Sequence, residues 1–213
     1  TKGTDGVYRK EIEVAPDKKY TVTETNYTVE GYEVKVYDVT GEKTEITDGK
    51  ITSGKVEKGG EQTVSFEDEY TAKPGKLIIE KTFEGDLTDE EYRGGLKFEV
   101  VDEDGKEIGT YNIKEHFTKG TDGVYRKEIE VAPDKTYTVT ETNYTVTGYT
   151  VKVYDITGTT ETEITTDPSI TSGKMEKDGE QKVAFKDDYK AVDGKIIIEK
   201  TFEGDITDEE YRG

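Results

Sequence analysis

The chain repeats itself over a distance the size of a whole domain, and no other feature limits its fold so strongly. Thr1–Lys10 recurs without change as Thr118–Lys127, and Gly75–Gly94 returns almost unchanged as Gly194–Gly213. Solenoid repeats have periods of about 20–50 residues, which is much shorter than the period of this repeat. The repeat therefore predicts a tandem array of complete domains.

The repeat divides the chain into one complete unit and two partial ones. Residues 75–190 contain every segment once, residues 1–70 match the C-terminal portion of a preceding repeat, and residues 194–213 match the first strand of a following one. Neither partial unit contains a counterpart of Gly95–Phe117. We therefore expect this sequence to be a piece of a longer array. The alternative is that the partial units of two chains pair head to tail.

The composition excludes several classes of function. The 213 residues include 49 acidic and 30 basic side chains, which gives a net charge of -19. A field of this sign repels phosphate groups, so we expect no binding to nucleic acid or to anionic membranes. Cysteine is absent, which excludes disulfide bonds and cysteine-based metal sites or nucleophiles. No apolar run reaches the length of a membrane span, so we expect no membrane insertion in this part of the protein.

Alternating hydrophobicity predicts strands rather than disorder. Only 30% of the residues are hydrophobic, but Val, Ile, Tyr and Phe alternate regularly with Thr, Lys and Glu. The strands predicted in the complete unit are Lys76–Phe83, Leu96–Val101, Glu107–Ile113, Gly123–Val131, Thr136–Thr142, Gly148–Ile156, Ser172–Glu176 and Gln181–Tyr189. A capping box at Thr88–Glu91 predicts a short helical turn that ends near Gly94. This number of short strands indicates an all-β fold, with tandem antiparallel β-sandwich domains of the prealbumin-like or immunoglobulin-like kind.

Three charged residues interrupt the apolar faces of these strands. Because alternate side chains of a strand share a face, Lys81 lies in the inward row of the first strand. The same parity places Glu141 in line with Val139, and Asp187 in line with Phe185. A lysine, a glutamate and an aspartate are thus predicted to face one core.

Two interpretations of this triad stay open from the pattern alone. Buried charges are usually paired, so the residues either form an ion triad or lie at strand ends that fray into solvent. The other interpretation is chemistry between them. Burial shifts the pKa of amines down and of carboxyls up by as much as about 3 to 5 units, which favours a neutral amine beside a carboxylic acid. Groups held in contact reach effective molarities of roughly 10⁵–10⁸ M, enough to drive amide formation, with Glu141 carrying the proton and polarising the carbonyl.

The order of these residues along the chain resembles that of a known family. A lysine on the first strand (Ile-Ile-Glu-Lys81), then Tyr-Thr-Val-Thr-Glu141, then Phe-Lys-Asp-Asp-Tyr189, is similar to the CnaB-type domains of Gram-positive surface proteins and pilins. The resemblance covers the whole complete unit and both partial ones. In that family the first-strand lysine forms an intramolecular isopeptide bond to an Asn or Asp on the last strand, helped by a glutamate. The resemblance therefore implies that Lys81 is the amine, Asp187 the acceptor and Glu141 the catalyst.

The partial units carry matching residues. Glu24 matches the catalyst and Asp68 the acceptor, and their lysine is expected upstream of this sequence. Lys200 matches the amine, and its partners are expected downstream. Many relatives have Asn in the acceptor position, whereas this chain has Asp in both copies. The reaction of lysine with aspartate releases water rather than ammonia.

Other candidate sites are weaker. His116 is the only histidine, and we interpret it as a surface residue at a strand end. Asp102–Gly105 offers oxygen atoms that suit calcium, but it fits a hairpin turn between two strands better. The sequence shows no glycine-rich phosphate loop, no metal-ligand cluster and no parts of a serine-hydrolase site. We therefore expect that the protein binds no metal and no cofactor and has no multiple-turnover enzymatic activity.

We expect a structural stalk from the extracellular, cell-wall-attached surface of a Gram-positive bacterium, with each domain locked by an isopeptide bond. Its partners are expected to be neighbouring repeats of the same array. The alternative is an adhesin module that binds host protein or glycan through its loops. Loop Glu42–Lys50 differs from its counterpart Thr159–Ser169, which favours the spacer, because a loop without a binding role is free to vary.

Overall fold

The computed structural model describes residues 1–87, 95–201 and 203–204. In this part of the chain nearly all regular structure is strand, and the helix α1 is the single turn Ile113–His116. The strands are β1 (Thr21–Thr23), β2 (Tyr32–Asp38), β3 (Thr44–Ile46), β4 (Lys50–Thr52), β5 (Phe66–Ala72), β6 (Gly75–Gly85), β7 (Lys97–Asp102), β8 (Glu107–Asn112), β9 (Thr118–Lys119), β10 (Tyr125–Val131), β11 (Tyr137–Thr142), β12 (Tyr149–Asp155), β13 (Thr162–Ile164), β14 (Ser169–Thr171) and β15 (Glu180–Ala191). The predicted all-β fold is confirmed. The helical turn predicted at Thr88–Glu91 lies outside the described residues.

Strands β6 to β15 form two sheets. The larger sheet has the order β13-β12-β15-β6-β10-β9, and the smaller one has the order β14-β11-β7-β8. The pairings are antiparallel except for one: β15 runs parallel to β6, with Phe185 opposite Lys81. Parallel neighbours need a long crossover connection, and here strands β7 to β14 form the connection between β6 and β15. The first and last strands of the unit therefore lie side by side.

The core lies between these two sheets. In β6 buried and less buried residues alternate, as the period-two pattern predicts, so that Leu77 and Ile79 point inward. Across the core, the rings of Phe98 on β7 and Phe185 on β15 have centroids 5.4 Å apart. The buried core residues are Leu77, Ile79, Leu96, Phe98, Val100, Ile113, Tyr125, Ile129, Val131, Tyr137, Val139, Val153, Ile170, Met175, Val183 and Phe185. Each large apolar side chain of this kind contributes about 1.5–3 kcal/mol by burial.

Residues 1–72 form smaller sheets from the corresponding strands. One sheet has the order β3-β2-β5, and β1 pairs with β4. By sequence these match β13-β12-β15 and the β11–β14 pair. The strand β5 has 7 residues, whereas its counterpart β15 has 12. The difference has a physical cause: β15 hydrogen-bonds to β6 along its length, and β5 pairs only with β2 among the described strands.

One predicted strand is wrong. The sequence pattern predicts a strand at Ser172–Glu176, but β14 ends at Thr171 and residues 172–176 form no strand. The Ser172 hydroxyl oxygen accepts a hydrogen bond from the Tyr137 backbone N–H at 3.1 Å, so a side chain interrupts the regular ladder at this point. The short strands β9 and β13 were not predicted at all.

Candidate functional site

Three strands bring Lys81, Glu141 and Asp187 together in the core. Lys81 lies on β6, Asp187 lies on the neighbouring β15, and Glu141 lies on β11 of the facing sheet. The exposed fraction is 0% for Lys81 and Asp187 and 1% for Glu141. The three residues therefore do not lie at frayed strand ends.

The amine of Lys81 lies against two carboxyl groups. Its Nζ atom is 2.6 Å from Glu141 Oε1 and also contacts Asp187 Oδ1. These contacts lack the alignment of hydrogen bonds. Within the described residues, Lys81 Nζ, both Glu141 oxygens and Asp187 Oδ1 have no hydrogen-bond partner. Three polar groups are thus packed together, and most of their polar atoms have no hydrogen-bond partner in the described structure.

Aromatic rings enclose the amine. Lys81 Nζ lies 5.3 Å from the ring centroid of Phe83 and 6.0 Å from that of Phe185. Phe185 packs in turn against Phe98 of the facing sheet. Water is excluded from such a site, and electrostatic interactions inside it are correspondingly stronger than at the surface.

Glu141 has the electrostatics of a proton carrier. Burial raises the pKa of its carboxyl to about 8; Lys81 acts in the opposite direction, and the charge of Asp187 adds to the rise. Glu141 is therefore mostly protonated at pH 7. A carboxyl group with a pKa near the working pH can both donate and accept a proton during a reaction.

Tyr189 holds the Asp187 carboxyl from the side away from Lys81. Its hydroxyl lies 3.0 Å from Asp187 Oδ2 and contacts the carbonyl oxygen of Tyr144. Burial raises the pKa of the Tyr189 hydroxyl, as does the charge of Asp187, so this group stays protonated and acts as a donor. No role for Tyr189 was predicted from the sequence. The available signal was its position two residues after Asp187 in the same inward row.

The N-terminal unit holds the corresponding pair of carboxyl groups. Glu24 Oε2 and Asp68 Oδ1 are buried and have no hydrogen-bond partner among the described residues. Burial raises the pKa of Glu24, and the negative charge of Asp68 raises it further, because the two carboxyls are neighbours. Tyr70 donates to the Tyr27 carbonyl oxygen at 2.7 Å and lies 3.2 Å from Asp68 Oδ2, as Tyr189 does beside Asp187.

The structure does not bring Lys200 to this carboxyl pair. Lys200 lies in the exposed stretch that follows β15, and residues 192–201 of this stretch form no strand. Of the six residues singled out from the sequence, three therefore meet in the complete unit, two meet in the N-terminal unit, and Lys200 lies apart.

The interpretation of His116 is wrong in one respect. His116 is exposed, as expected, but it lies in the helical turn α1 and not at the end of a strand. Its Nδ1 atom accepts a hydrogen bond from the backbone N–H of Asn112 at 3.0 Å. This contact closes the turn and gives the His116 side chain a structural role.

The Asp102 carboxylate builds a turn. Its Oδ1 atom accepts hydrogen bonds at 3.0 Å from the backbone N–H groups of Asp104 and Lys106, and its Oδ2 atom lies 2.7 Å from Lys135 Nζ. Strands β7 and β8 pair on either side, which confirms the predicted hairpin. In the part of the chain that the structure describes, there is no cluster of three or more potential metal ligands. The helix it contains is far too short to cross a membrane.

Comparisons with known proteins find only distantly similar solved structures. No protein-family model and no curated protein matches the chain. Similar solved structures include the pilus-presented adhesin Spy0125 (Cpa), with 18% identity over 57% of this chain and a TM-score of 0.31. They also include the major pilin of Streptococcus pyogenes, with 18% identity over 84% of this chain and a TM-score of 0.29. A third is GBS52, the minor pilin of Streptococcus agalactiae, with 16% identity over 81% of this chain and a TM-score of 0.28.

These matches cover the solved chains to different extents. This chain covers 28% of the adhesin, 73% of the major pilin and 87% of the minor pilin. By their titles, the three structures are an adhesin and two pilins. Similarity at these identities and TM-scores carries no argument about function, so the functional conclusion depends on the site itself.

Proposed function

We propose that the protein is a structural segment of a bacterial surface stalk or fibre, and that an amide bond between Lys81 and Asp187 locks its complete domain. The observation that carries the proposal is the buried triad: one amine lies against two carboxyl groups, with no exposed surface on the amine or on the acceptor. The bond forms within the folded domain and needs no other enzyme. The protein acts once on itself and has no turnover.

The proposed reaction is a condensation with a simple balance of atoms. The Lys81 ammonium gives up a proton, and the neutral Nζ attacks the Cγ atom of Asp187. The new N–C bond replaces one C–O bond of the carboxyl group, and the departing oxygen leaves as water after taking up two protons that came from the nitrogen. Contact between the reacting groups in the folded state supplies the effective concentration that the same reaction lacks in water.

Glu141 and Tyr189 have distinct roles in this mechanism. Glu141, which starts protonated, gives its proton to the departing oxygen and takes a proton from the Lys81 nitrogen in its place, so that it ends the reaction as it began, and its pKa of about 8 suits both transfers. Tyr189 is a positioning residue that holds Oδ2 of Asp187 while Oδ1 faces the amine.

A permanent ion triad is the competing explanation, and the physical chemistry disfavours it. Removing charged groups from water costs several kcal/mol per ion, and good hydrogen bonds must compensate. Here Lys81 Nζ, both Glu141 oxygens and Asp187 Oδ1 lack hydrogen-bond partners within the described residues, whereas Asp187 Oδ2 has the Tyr189 hydroxyl. Condensation removes the charge of the amine and of the acceptor together, which relieves this cost.

The position of the bond suits a protein under tension. Strands β6 and β15 are the first and last of the unit and lie side by side. Force applied at the two ends would pass along β6 to Lys81, through the bond to Asp187, and out along β15. The stretch from residue 82 to residue 186 would carry no tension. Only Lys73 and Pro74 separate β5 from β6, so the connection between the two units is short and would extend little under force.

The remaining parts of the proposal follow from this role. We expect the stalk to lie on the outer surface of a Gram-positive bacterium and to have neighbouring repeats as its partners. Binding of a host protein or glycan through the loops stays a prediction, because no feature of the described residues favours a particular ligand.

Single-molecule stretching of the chain between its ends tests the proposal. Without a bond, unfolding from Gly75 to Ala191 releases a length on the order of 400 Å, at about 3.5 Å per residue. We expect the wild-type chain to lack this step, and the Lys81→Arg and Asp187→Ala variants to show it. Lys76→Arg is the matched control, because Lys76 is exposed on the same strand and should behave like the wild type. A full-length step in the wild-type chain would refute the proposal.

A further inference from the structure

The two units pair nearly the same hairpin with their last strands. Strand β2 pairs with β3 and with β5, and β12 pairs with β13 and with β15 in the same register. The sequences of β3 and β13 are identical, and β2 differs from β12 at one position, where β2 has Glu33 and β12 has Thr150. Backbone hydrogen bonds and apolar packing would therefore allow the hairpin of either unit to pair with the last strand of the other.

An ion pair joins each hairpin to its last strand, and the polarity of this pair is reversed between the units. In the N-terminal unit, Lys43 directly precedes β3, and its Nζ atom lies 2.7 Å from Oε1 of Glu67 on β5. In the complete unit, Glu161 directly precedes β13, and its Oε2 atom lies 2.6 Å from Nζ of Lys186 on β15. The hairpin thus carries the cation in one unit and the anion in the other.

A tyrosine in each hairpin shows that the two ion pairs occupy equivalent positions. Glu67 lies opposite Tyr37, and Lys186 lies opposite Tyr154. The cation of each pair also lies over the tyrosine ring of its own unit: Lys43 Nζ is 4.1 Å from the centroid of Tyr37, and Lys186 Nζ is 4.8 Å from that of Tyr154. A cation in this position is attracted by the face of the ring. Each tyrosine therefore has one cation, which comes from the hairpin in one unit and from the last strand in the other.

We propose that the reversed ion pair assigns each hairpin to the last strand of its own repeat and prevents the exchange of hairpins between repeats. Exchange would place Lys43 beside Lys186. It would also place Glu161 beside Glu67, so that two attractive pairs become two repulsive ones. One tyrosine would then have two cations over its ring, and the other would have none. Mispairing between domains is a characteristic failure of repeat proteins, and repulsion in the wrong arrangement is an effective way to prevent it.

Two neighbouring contacts do not reverse this preference. Oε2 of Glu84 on β6 lies 3.2 Å from Lys186 Nζ, but β6 and β15 stay together in both arrangements, so this contact favours neither. At the open end of the hairpin, exchange would place Glu33 opposite Lys190, which is an attractive pair of exposed side chains. Lys186 is only 9% exposed, and charge interactions are stronger where water is excluded. The two repulsive pairs therefore outweigh the single attractive one.

Disulfide trapping measures the exchange directly, because the 213-residue chain contains no cysteine of its own. Thr150 lies opposite Lys190, and Glu33 lies opposite Thr71. Opposite residues of antiparallel strands have Cα atoms about 4.5–5.5 Å apart, which is a distance that a disulfide bond spans. A Thr150→Cys/Lys190→Cys chain therefore reports the native arrangement, and a Glu33→Cys/Lys190→Cys chain reports the exchanged one. Each chain is refolded and oxidised, and the disulfide-bonded peptide is quantified by mass spectrometry.

The charge variants are introduced into both reporter chains. With the natural charges, we expect the native disulfide to form and the exchanged disulfide to stay at trace level. The Glu67→Lys/Lys186→Glu variant moves each strand charge to the other unit, and it should raise the exchanged fraction by roughly tenfold or more, within one chain or between two. Adding Lys43→Glu and Glu161→Lys reverses all four charges and restores both attractive pairs. This control should return the exchanged fraction to its original level.

Two results would overturn the proposal. If the exchanged fraction does not rise when the strand charges are moved, the ion pairs do not select the partner of the hairpin. If the fraction rises and stays high after all four charges are reversed, the substitutions act by a general loss of stability and not by the matching of charges. Neither result depends on the bond between Lys81 and Asp187, so this proposal and the proposed function are tested separately.

Discussion

Replacing Glu141 by Gln is the perturbation that separates a reacting triad from an ion triad. The amide is nearly the same size as the carboxyl, so Glu141→Gln should leave the fold and the contact between Lys81 and Asp187 in place. It removes the only carboxyl in contact with Lys81 besides the acceptor itself, among the residues that the structure describes. We therefore expect the variant to fold with its amine and acceptor unbonded.

The loss of stability can be worked out from the position of the bond. The proposed bond between residues 81 and 187 would close a loop of about 100 residues, and such a closure contributes about 4.7 kcal/mol to the free energy of unfolding. For a domain of this size, about 4.7 kcal/mol corresponds to a fall in melting temperature of roughly 15–25 °C. The assay is thermal unfolding followed by circular dichroism, with the intact mass measured on the same samples.

Glu24→Gln is the matched control for this experiment. Glu24 occupies the same sequence motif in the N-terminal unit, and its replacement leaves the Lys81 site unchanged. The control should retain the melting temperature of the complete unit and the mass deficit of the wild-type monomer. If Glu141→Gln has the same melting temperature as the wild type, or if its mass is still one water below the calculated value, the assigned role of Glu141 is wrong.

Three further predictions concern the same site. Tyr189→Phe should still form the bond, but more slowly after refolding, because Oδ2 of Asp187 loses its hydrogen-bond donor. The time course of the mass change measures the rate of bond formation. An unchanged rate would remove Tyr189 from the mechanism. Lys81→Met should block the bond in every molecule. Lys182→Met, which replaces an exposed lysine on β15, should not. A bonded Lys81→Met monomer would show that another lysine reacts. In the unbonded Lys81→Met variant, the raised pKa of Glu141 means that the folded state binds a proton that the unfolded state releases above about pH 4.5. Stability should therefore fall as the pH rises above about 4.5, and the fall should extend past pH 8, because the variant lacks the charge of Lys81 that lowers this pKa. The Lys81→Met/Glu141→Gln double variant should lack this component.

The fold could be predicted largely because the strands are half buried. In β6, inward Leu77 and Ile79 alternate with more exposed neighbours, so the period of two reports both the strand and its inner face. The strand predicted at Ser172–Glu176 was wrong because hydrogen bonds to the Ser172 side chain interrupt the ladder, and hydrophobic periodicity contains no information on such contacts. The parallel pairing of β6 and β15 could not be read from periodicity either, because alternation does not specify a partner.

The candidate site was more predictable than the contacts around it. A charged residue in an apolar row is visible in the sequence, and parity alone was enough to single out Lys81, Glu141 and Asp187. Their approach across two sheets depends on the pairing of β15 with β6 and on the packing of β11 against both. The part played by Tyr189 depends on which way its hydroxyl points, and a buried tyrosine in a strand usually signals only core packing.

The intact mass of the denatured wild-type monomer is the decisive measurement for the bond between Lys81 and Asp187. We expect a mass one water below that calculated from the sequence, with the loss mapped to a branched peptide that joins Lys81 to Asp187. A monomer of full calculated mass, in which Lys81 and Asp187 are recovered in separate peptides, would contradict it.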